Sequence, residues 1–133
     1  MKVLFICEGN VTRSQMAEAI YNAKTQSHDA VSAGTIAADL DRVGARAAEV
    51  LDEIGVSTNG QHCKQLTPAM VDEADVVVLF PANETPDYVK KSPKTRFWDV
   101  SDPHFYHSEG MPFVRRVRDE IRERVEALVR EAA

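Results

Sequence analysis

Cys7 and Arg13 are the two residues whose types and spacing can do chemistry together. Between them lie Glu8, Gly9, Asn10, Val11 and Thr12, and Ser14 follows. That interval lets the loop wrap a phosphate-sized anion with its backbone N–H groups turned inward. Arg13 would then offer a planar fork of donors to two oxygens of the anion. A Cys7 thiolate beneath it would stand in line for attack on phosphorus. Such a site works by positioning and by stabilising spread negative charge. The chemistry suggested is displacement at a tetrahedral oxyanion. Each residue also has a plain structural role open to it: a small strand-end hydrophobe for Cys7, a first-turn residue for Arg13, a helix cap for Ser14. Their conjunction is what points to a site. Cys63 has no such company, because Ala69 stands where the arginine would be and no apolar strand precedes it.

The elements that must position this loop are legible on either side of it. Val3 to Ile6 is an unbroken apolar run, the mark of a strand buried on both faces, and it stops at Cys7. A helical period begins at Arg13. A cysteine at a strand's C-terminal end and an arginine at the next helix's start lie in the crevice where open parallel sheets bind ligands. A thiolate there should be populated near neutral pH.

Further along, a first helix is expected over 13–24, with Met16, Ala17, Ile20 and Ala23 facing inward. A short strand over 30–34 ends on Gly34, and a loop covers 35–41. A second helix over 42–54 carries Val43, Ala47, Val50, Leu51 and Ile54 at helical spacing, and Gly55 stops it. A polar connection, 57–64, leads to Thr67 as N-cap and Pro68 at the first position of a helix reaching Glu73. Residues 75–80 form the clearest strand, which should be central, and Pro81 ends it. A short helix over 84–90 and a fourth strand over 95–98 follow. The loop 99–110 holds Asp102-Pro103, His104 and His107. In the last helix Phe113, Val114, Val117, Ile121, Val125 and Leu128 line one face. This alternation predicts right-handed crossovers and an α/β three-layer sandwich: a four-stranded parallel sheet with helices on both faces, in one domain over residues 1–133.

Composition narrows the function classes. The chain has 133 residues, 44% hydrophobic and 28% charged, with net charge −5, so a non-specific nucleic-acid binder is not expected. An anionic substrate must be drawn by a local positive site rather than by the global field. No apolar run is long enough for a membrane span, and no signal peptide is read at the start, so no membrane partner and a cytoplasmic location are expected. Cys7 and Cys63 are then two free thiols rather than a disulfide. His62-Cys63, His104 and His107 do not build a four-ligand set, so neither a metal nor a cofactor is expected. Arg115, Arg116, Arg118, Arg122 and Arg124 interleave with Asp119, Glu120, Glu123 and Glu126, which reads as ion pairs on a solvated helix face.

The run Cys7-Glu8-Gly9-Asn10-Val11-Thr12-Arg13-Ser14-Gln15-Met16-Ala17-Glu18 resembles the low-molecular-weight protein tyrosine phosphatases and the arsenate reductases that share their fold. Ser32-Ala33-Gly34-Thr35 and Asp102-Pro103 add to the resemblance, which covers the chain in length and element order. It implies that Cys7 becomes a phosphocysteine, that Arg13 binds the phosphate and the transition state, and that Asn10 holds the loop in shape. It implies further that Ser14 donates to the thiolate and that Asp102 protonates the leaving oxygen and then activates water. A carboxyl on a loop over the pocket can serve in both directions. Monomers or weak dimers are the state the resemblance implies. Tyr106 reads as an ordinary loop tyrosine, with phosphorylation in family fashion as the alternative.

The chain also departs from the pattern. Thr12 replaces a frequent second cysteine, so no vicinal disulfide can protect Cys7. His104 and Phe105 follow Asp-Pro where the phosphatases often carry two tyrosines. Phe80-Pro81-Ala82-Asn83 departs from both branches. Ser14 to Glu18 and Phe113 to Ile121 look like the reductase branch, and arsenate is nearly isosteric with phosphate. Reduction, however, needs a second thiol to take the sulfur as a disulfide. No cysteine lies between Phe80 and Lys91, and Cys63 is the only other one. The favoured reading is hydrolysis of a phosphotyrosine protein or small aryl phosphate. The alternatives are arsenate reduction with an external thiol of the glutathione, mycothiol or thioredoxin type, and a non-catalytic phosphate-sensing domain.

Overall fold

The computed structural model describes residues 1–39, 42–103 and 108–132. Its elements run β1 (Val3–Cys7), α1 (Arg13–Thr25), β2 (Ala30–Gly34), α2 (Ala45–Asp52), α3 (Pro68–Glu73), β3 (Val76–Leu79), α4 (Asp87–Lys90), β4 (Thr95–Phe97) and α5 (Gly110–Ala132). The strands form one four-stranded parallel sheet in the order β2-β1-β3-β4. The expected α/β architecture is present, and the two apolar runs, β1 and β3, are the central strands.

Alternation along β1 divides the core. Val3, Phe5 and Cys7 face α1, α2 and α5, packing with Met16, Ile20, Val50, Leu51, Val117 and Ile121. Leu4 and Ile6 face the other way, onto Leu66, Val71 and Val89 beside α3 and α4. Every residue of β1 is buried, and each fully buried large apolar side chain stabilises by about 1.5–3 kcal/mol. Cys7 pairs in register with Gly34 on one side, while β3 flanks β1 on the other. The chain leaves β1 at the point where the strand order reverses, which opens a crevice above the strand end.

Several elements differ from expectation, each for a packing reason. α2 starts at Ala45, not 42, because Gly44 is drawn against the Cys7–Arg13 loop: its N–H donates to the Val11 carbonyl at 3.1 Å. A Cβ at Gly44 would lie 2.8 Å from Val11 Cγ1. Val43 is buried although it precedes the helix. Ala23 is exposed rather than inward. Thr67 occupies the N-cap of α3 without a side-chain capping bond, and Pro68 sits at the start as expected. Arg115 and Arg118 reach across to Glu53 beside α2 at 2.8 and 2.7 Å, whereas Arg122–Glu126 and Arg124–Glu120 form the expected pairs along the helix. Among the described residues no helix is long and apolar enough to cross a membrane.

Candidate active site

The Cys7–Arg13 loop is held from outside by its carbonyls. Cys7, Glu8, Gly9 and Val11 carbonyls accept from the N–H groups of Thr35 (3.0 Å), Ile36 (2.9 Å), Ala38 (3.0 Å) and Gly44 (3.1 Å). In a trans peptide the next residue's N–H points opposite to the carbonyl, and no described peptide bond is cis. The N–H groups of Glu8, Gly9, Asn10 and Thr12 therefore turn away from this outer frame, and that of Asn10 reaches Cys7 Sγ at 3.3 Å. Backbone N–H groups turned to one side in this way can cradle an anion.

Gly34 permits the close fit. A Cβ there would lie 2.6 Å from the Glu8 carbonyl oxygen and 3.0 Å from the Gly9 carbonyl carbon. Asn10 makes the loop's sharp turn in the left-handed region, at φ 57°, a conformation its short polar side chain tolerates. That side chain is fully buried and donates through Nδ2 to Ser14 Oγ at 2.8 Å; Ser14 Oγ in turn lies 2.8 Å from Cys7 Sγ.

Arg13 opens α1 and is only 3% exposed. Its Nη1 donates to the Val100 carbonyl at 3.1 Å and its Nη2 to Asp102 Oδ2 at 3.4 Å. The guanidinium also lies 5.8 Å from the Phe80 ring centre, and Phe80 meets Trp98 edge-on. A cation so held cannot swing away, and its planar fork is oriented before any ligand arrives. Above the loop lies a cleft of about 690 Å³ lined by Cys7, Glu8, Gly9, Val11, Thr12 and Arg13, with Ile36, Asn83, Glu84 and Asp102 completing it. Glu8 Oε1 accepts from the Asn83 N–H at 3.1 Å, tying the loop to the segment after β3.

The structure thus brings Cys7, Arg13 and Asp102 to one cleft, with Glu8, Gly9, Asn10, Val11, Thr12 and Ser14 forming or supporting its loop. His104, Phe105, Tyr106 and His107 lie outside the described residues. Cys63 is a half-buried free thiol that donates to the Asn10 carbonyl at 3.2 Å, and burial, aided by nearby Cys7, pushes its pKa up. Among the described residues no group of three or more His, Cys, Asp or Glu side chains is arranged to hold a metal ion.

Three supporting residues were not anticipated from the sequence. Phe80 underlies Arg13. Gln15, fully buried, donates to Asn10 Oδ1 at 3.1 Å and to the Asn10 and His62 carbonyls at 3.0 and 2.8 Å. The Lys64 N–H donates to Asn10 Oδ1 at 2.8 Å. The one available signal was a polar Gln15 set between Ser14 and the inward Met16 and Ala17.

The chain is similar to known proteins over nearly its whole length. The family model described as low molecular weight phosphotyrosine protein phosphatase matches residues 2–133. A glutaredoxin arsenate reductase of Synechocystis sp. is 30% identical over 131 residues, covering 96% of this chain and 95% of its own. The low molecular weight protein tyrosine phosphatase of T. tengcongensis superposes with a TM-score of 0.79 at 28% identity, over 98% of this chain and 99% of that one. An arsenate reductase of Archaeoglobus fulgidus gives a TM-score of 0.74 at 31% identity, over 96% and 98% of the two chains.

Proposed function

The chain belongs to the low molecular weight phosphotyrosine protein phosphatase family, and from that premise we propose that it hydrolyses aryl phosphate monoesters through a phosphocysteine at Cys7. In the first step the Cys7 thiolate attacks phosphorus, the S–P bond forms and the P–O bond to the aryl group breaks. Asp102 gives its proton to the departing phenolate oxygen. In the second step the Asp102 carboxylate takes a proton from water, whose oxygen attacks phosphorus. The S–P bond breaks, and phosphate and the thiolate are released. Arg13 and the inward N–H groups hold the equatorial oxygens in both steps, where negative charge is spread. Val11 and the exposed Ile36, both lining the cleft, offer apolar surface to an aryl ring.

One observation carries this reading: Arg13 Nη2 pairs with Asp102 Oδ2 at 3.4 Å in the cleft that Cys7 also lines. A nucleophile, an oxyanion donor and a proton carrier share one pocket. Two free cysteines suit a reducing cytoplasm, where the protein acts on a phosphotyrosine protein or small aryl phosphate as a monomer or weak dimer.

Arsenate reduction is the second reading, favoured by the likeness to the arsenate reductases of Synechocystis sp. and Archaeoglobus fulgidus. The same loop accepts arsenate. A thiol must then attack the arsenic-bound Cys7 sulfur, giving a disulfide and arsenite. Asn10 presents its N–H to Cys7 and its carbonyl to Cys63, so the loop backbone separates the two thiols. Reduction then requires an external thiol. The two readings part in a parallel assay of p-nitrophenyl phosphate hydrolysis and of arsenite release, with and without glutathione, mycothiol or thioredoxin. Hydrolysis without metal or added thiol, abolished in Cys7→Ser, is the expected result. Arsenite release that needs a thiol, with no phosphate release, would replace the first reading by the second.

A further inference from the structure

We propose that Gln15 is a positioning residue that fixes the direction of the Ser14 hydroxyl, so that its proton is donated to Cys7. The inference rests on Cys7 being the nucleophile, and it concerns how that sulfur is kept reactive.

Hydrogen-bond parity assigns each polar atom around Asn10. A side-chain amide has one accepting end and one donating end. Two donors converge on a single end of the Asn10 amide: the Lys64 N–H at 2.8 Å and Gln15 Nε2 at 3.1 Å. That end must be the oxygen. Asn10 Nδ2 is then forced toward Ser14 Oγ, 2.8 Å away, where it donates. Ser14 Oγ has a single proton, and with Asn10 donating into its lone pair that proton is left for Cys7 Sγ at 2.8 Å. A hydroxyl donating to sulfur favours the thiolate; one turned away does not.

Gln15 is itself oriented by the strap 61–66, which lies between α2 and α3 and runs beside the end of β2. Gly34 N–H donates to the Lys64 carbonyl at 2.8 Å and Leu66 N–H to the Gly34 carbonyl at 2.9 Å, anchoring the strap to the sheet edge. From it, Gln61 Nε2 donates to Gln15 Oε1 at 2.7 Å, and the His62 carbonyl accepts from Gln15 Nε2 at 2.8 Å. Both ends of the Gln15 amide are therefore assigned by the strap. The result is a directed relay from Gln61 through Gln15, Asn10 and Ser14 to the sulfur. Gln15 is fully buried, and a methionine of similar length would fill its space. It would leave the His62 carbonyl with Lys64 Nζ, Gln61 Nε2 with the residue-15 carbonyl and Asn10 Oδ1 with the Lys64 N–H, each with one hydrogen bond fewer, and the Asn10 amide less firmly oriented.

Gln15→Glu is the sharper probe because it keeps the shape. It offers acceptors where Asn10 Oδ1, the Asn10 carbonyl and the His62 carbonyl each receive a donor from Gln15, leaving them, among the described residues, only the Lys64 N–H, the Cys63 thiol and Lys64 Nζ. The Asn10 amide is then pulled between two orientations, the Lys64 N–H still calling for its oxygen and the carboxylate for its Nδ2, so the Ser14 proton is no longer held on Cys7. The readout is the rate of iodoacetamide alkylation of the Cys7 peptide, followed by mass spectrometry from acid to alkaline pH. The expected result for Gln15→Glu and Gln15→Met is a profile displaced toward alkaline pH: about tenfold slower alkylation at neutral pH, with wild-type rates once the thiol is fully ionised. A purely structural role would lower the melting temperature and leave the profile unmoved. A folded Gln15→Glu protein with the wild-type profile overturns the proposal. If both variants fail to fold, Gln61→Ala decides. Gln61 is half-buried, and among the described residues its side-chain amide bonds to Gln15 alone. Its removal should displace the profile several-fold in the same direction, and an unmoved profile overturns the proposal. Alkylation involves no phosphate, so a failure of the phosphatase reading would appear separately, as absent p-nitrophenyl phosphate hydrolysis in the wild type.

Discussion

Gly34→Ala should loosen the anion loop from the sheet. Gly34 is the last residue of β2 and the register partner of Cys7. Among the described residues the three atoms nearest the added Cβ are all backbone: the Glu8 oxygen at 2.6 Å, the Gly9 carbonyl carbon at 3.0 Å and Ala37 Cα at 3.1 Å. No flexible side chain can swing aside, so the loop and the strand end must part by about 0.8 Å to restore ordinary contact. That movement strains the outer frame, where Ile36 N–H reaches Glu8 at 2.9 Å and Ala38 N–H reaches Gly9 at 3.0 Å. Overpacking of this kind costs about 1–3 kcal/mol, which for a chain of this size lowers the melting temperature by about 3–10 °C. The catalytic effect should be larger, because a misplacement of about 1 Å at the reacting centre costs about 100-fold. Gly9→Ala is the control, since among the described residues its Cβ would meet only Val11 Cγ2, at an ordinary 3.6 Å; its stability should stay within about 0.5 kcal/mol of wild type. Thermal melting and kcat/KM on p-nitrophenyl phosphate measure both effects. A Gly34→Ala protein with wild-type melting and kcat/KM, or a Gly9→Ala protein equally destabilised, would refute the reasoning.

Other predictions follow from the same contacts. Cys63, its pKa raised by burial, should be alkylated several-fold more slowly than a free cysteine at neutral pH. Cys63→Ser should retain phosphatase activity within about twofold, because a hydroxyl can still donate to the Asn10 carbonyl; a large loss would make Cys63 part of the chemistry. The hydrogen bond from Arg115, aided by Arg118, holds the Glu53 carboxyl below its usual range. A depressed carboxyl stabilises the fold above its unfolded pKa, and this is lost as pH falls through the folded value. The melting temperatures of wild type and Glu53→Gln should therefore differ at neutral pH and converge in acid, with added salt shrinking the neutral difference. A constant difference across pH would reject the pairing.

What the sequence disclosed follows how local each contact is. Cys7, Arg13 and the intervening loop are contiguous, and the apolar runs of β1 and β3 need no partner to be recognised. Asp102 lies 89 residues from Arg13, and only a resemblance pointed to it. The strap 61–66 carries no periodicity, so its hold on Asn10 through Lys64, and through Gln15, had no signature. The start of α2 moved because Gly44 answers to Val11, not to helical spacing. Arg115 and Arg118 left the helix face for Glu53 because α2 and α5 pack together, a tertiary choice that spacing along α5 cannot reveal.

The most direct test of the central claim is the covalent intermediate. Wild type and Asp102→Asn are mixed with p-nitrophenyl phosphate, quenched rapidly and digested, and the site of any phosphoryl group is read by mass spectrometry. The p-nitrophenolate leaving group needs little acid assistance, whereas hydrolysis of the thiophosphate needs a base to activate water. A phosphoryl group on the Cys7 sulfur that accumulates in Asp102→Asn is the predicted result. Turnover in which Cys7 never carries the phosphoryl group would contradict the account.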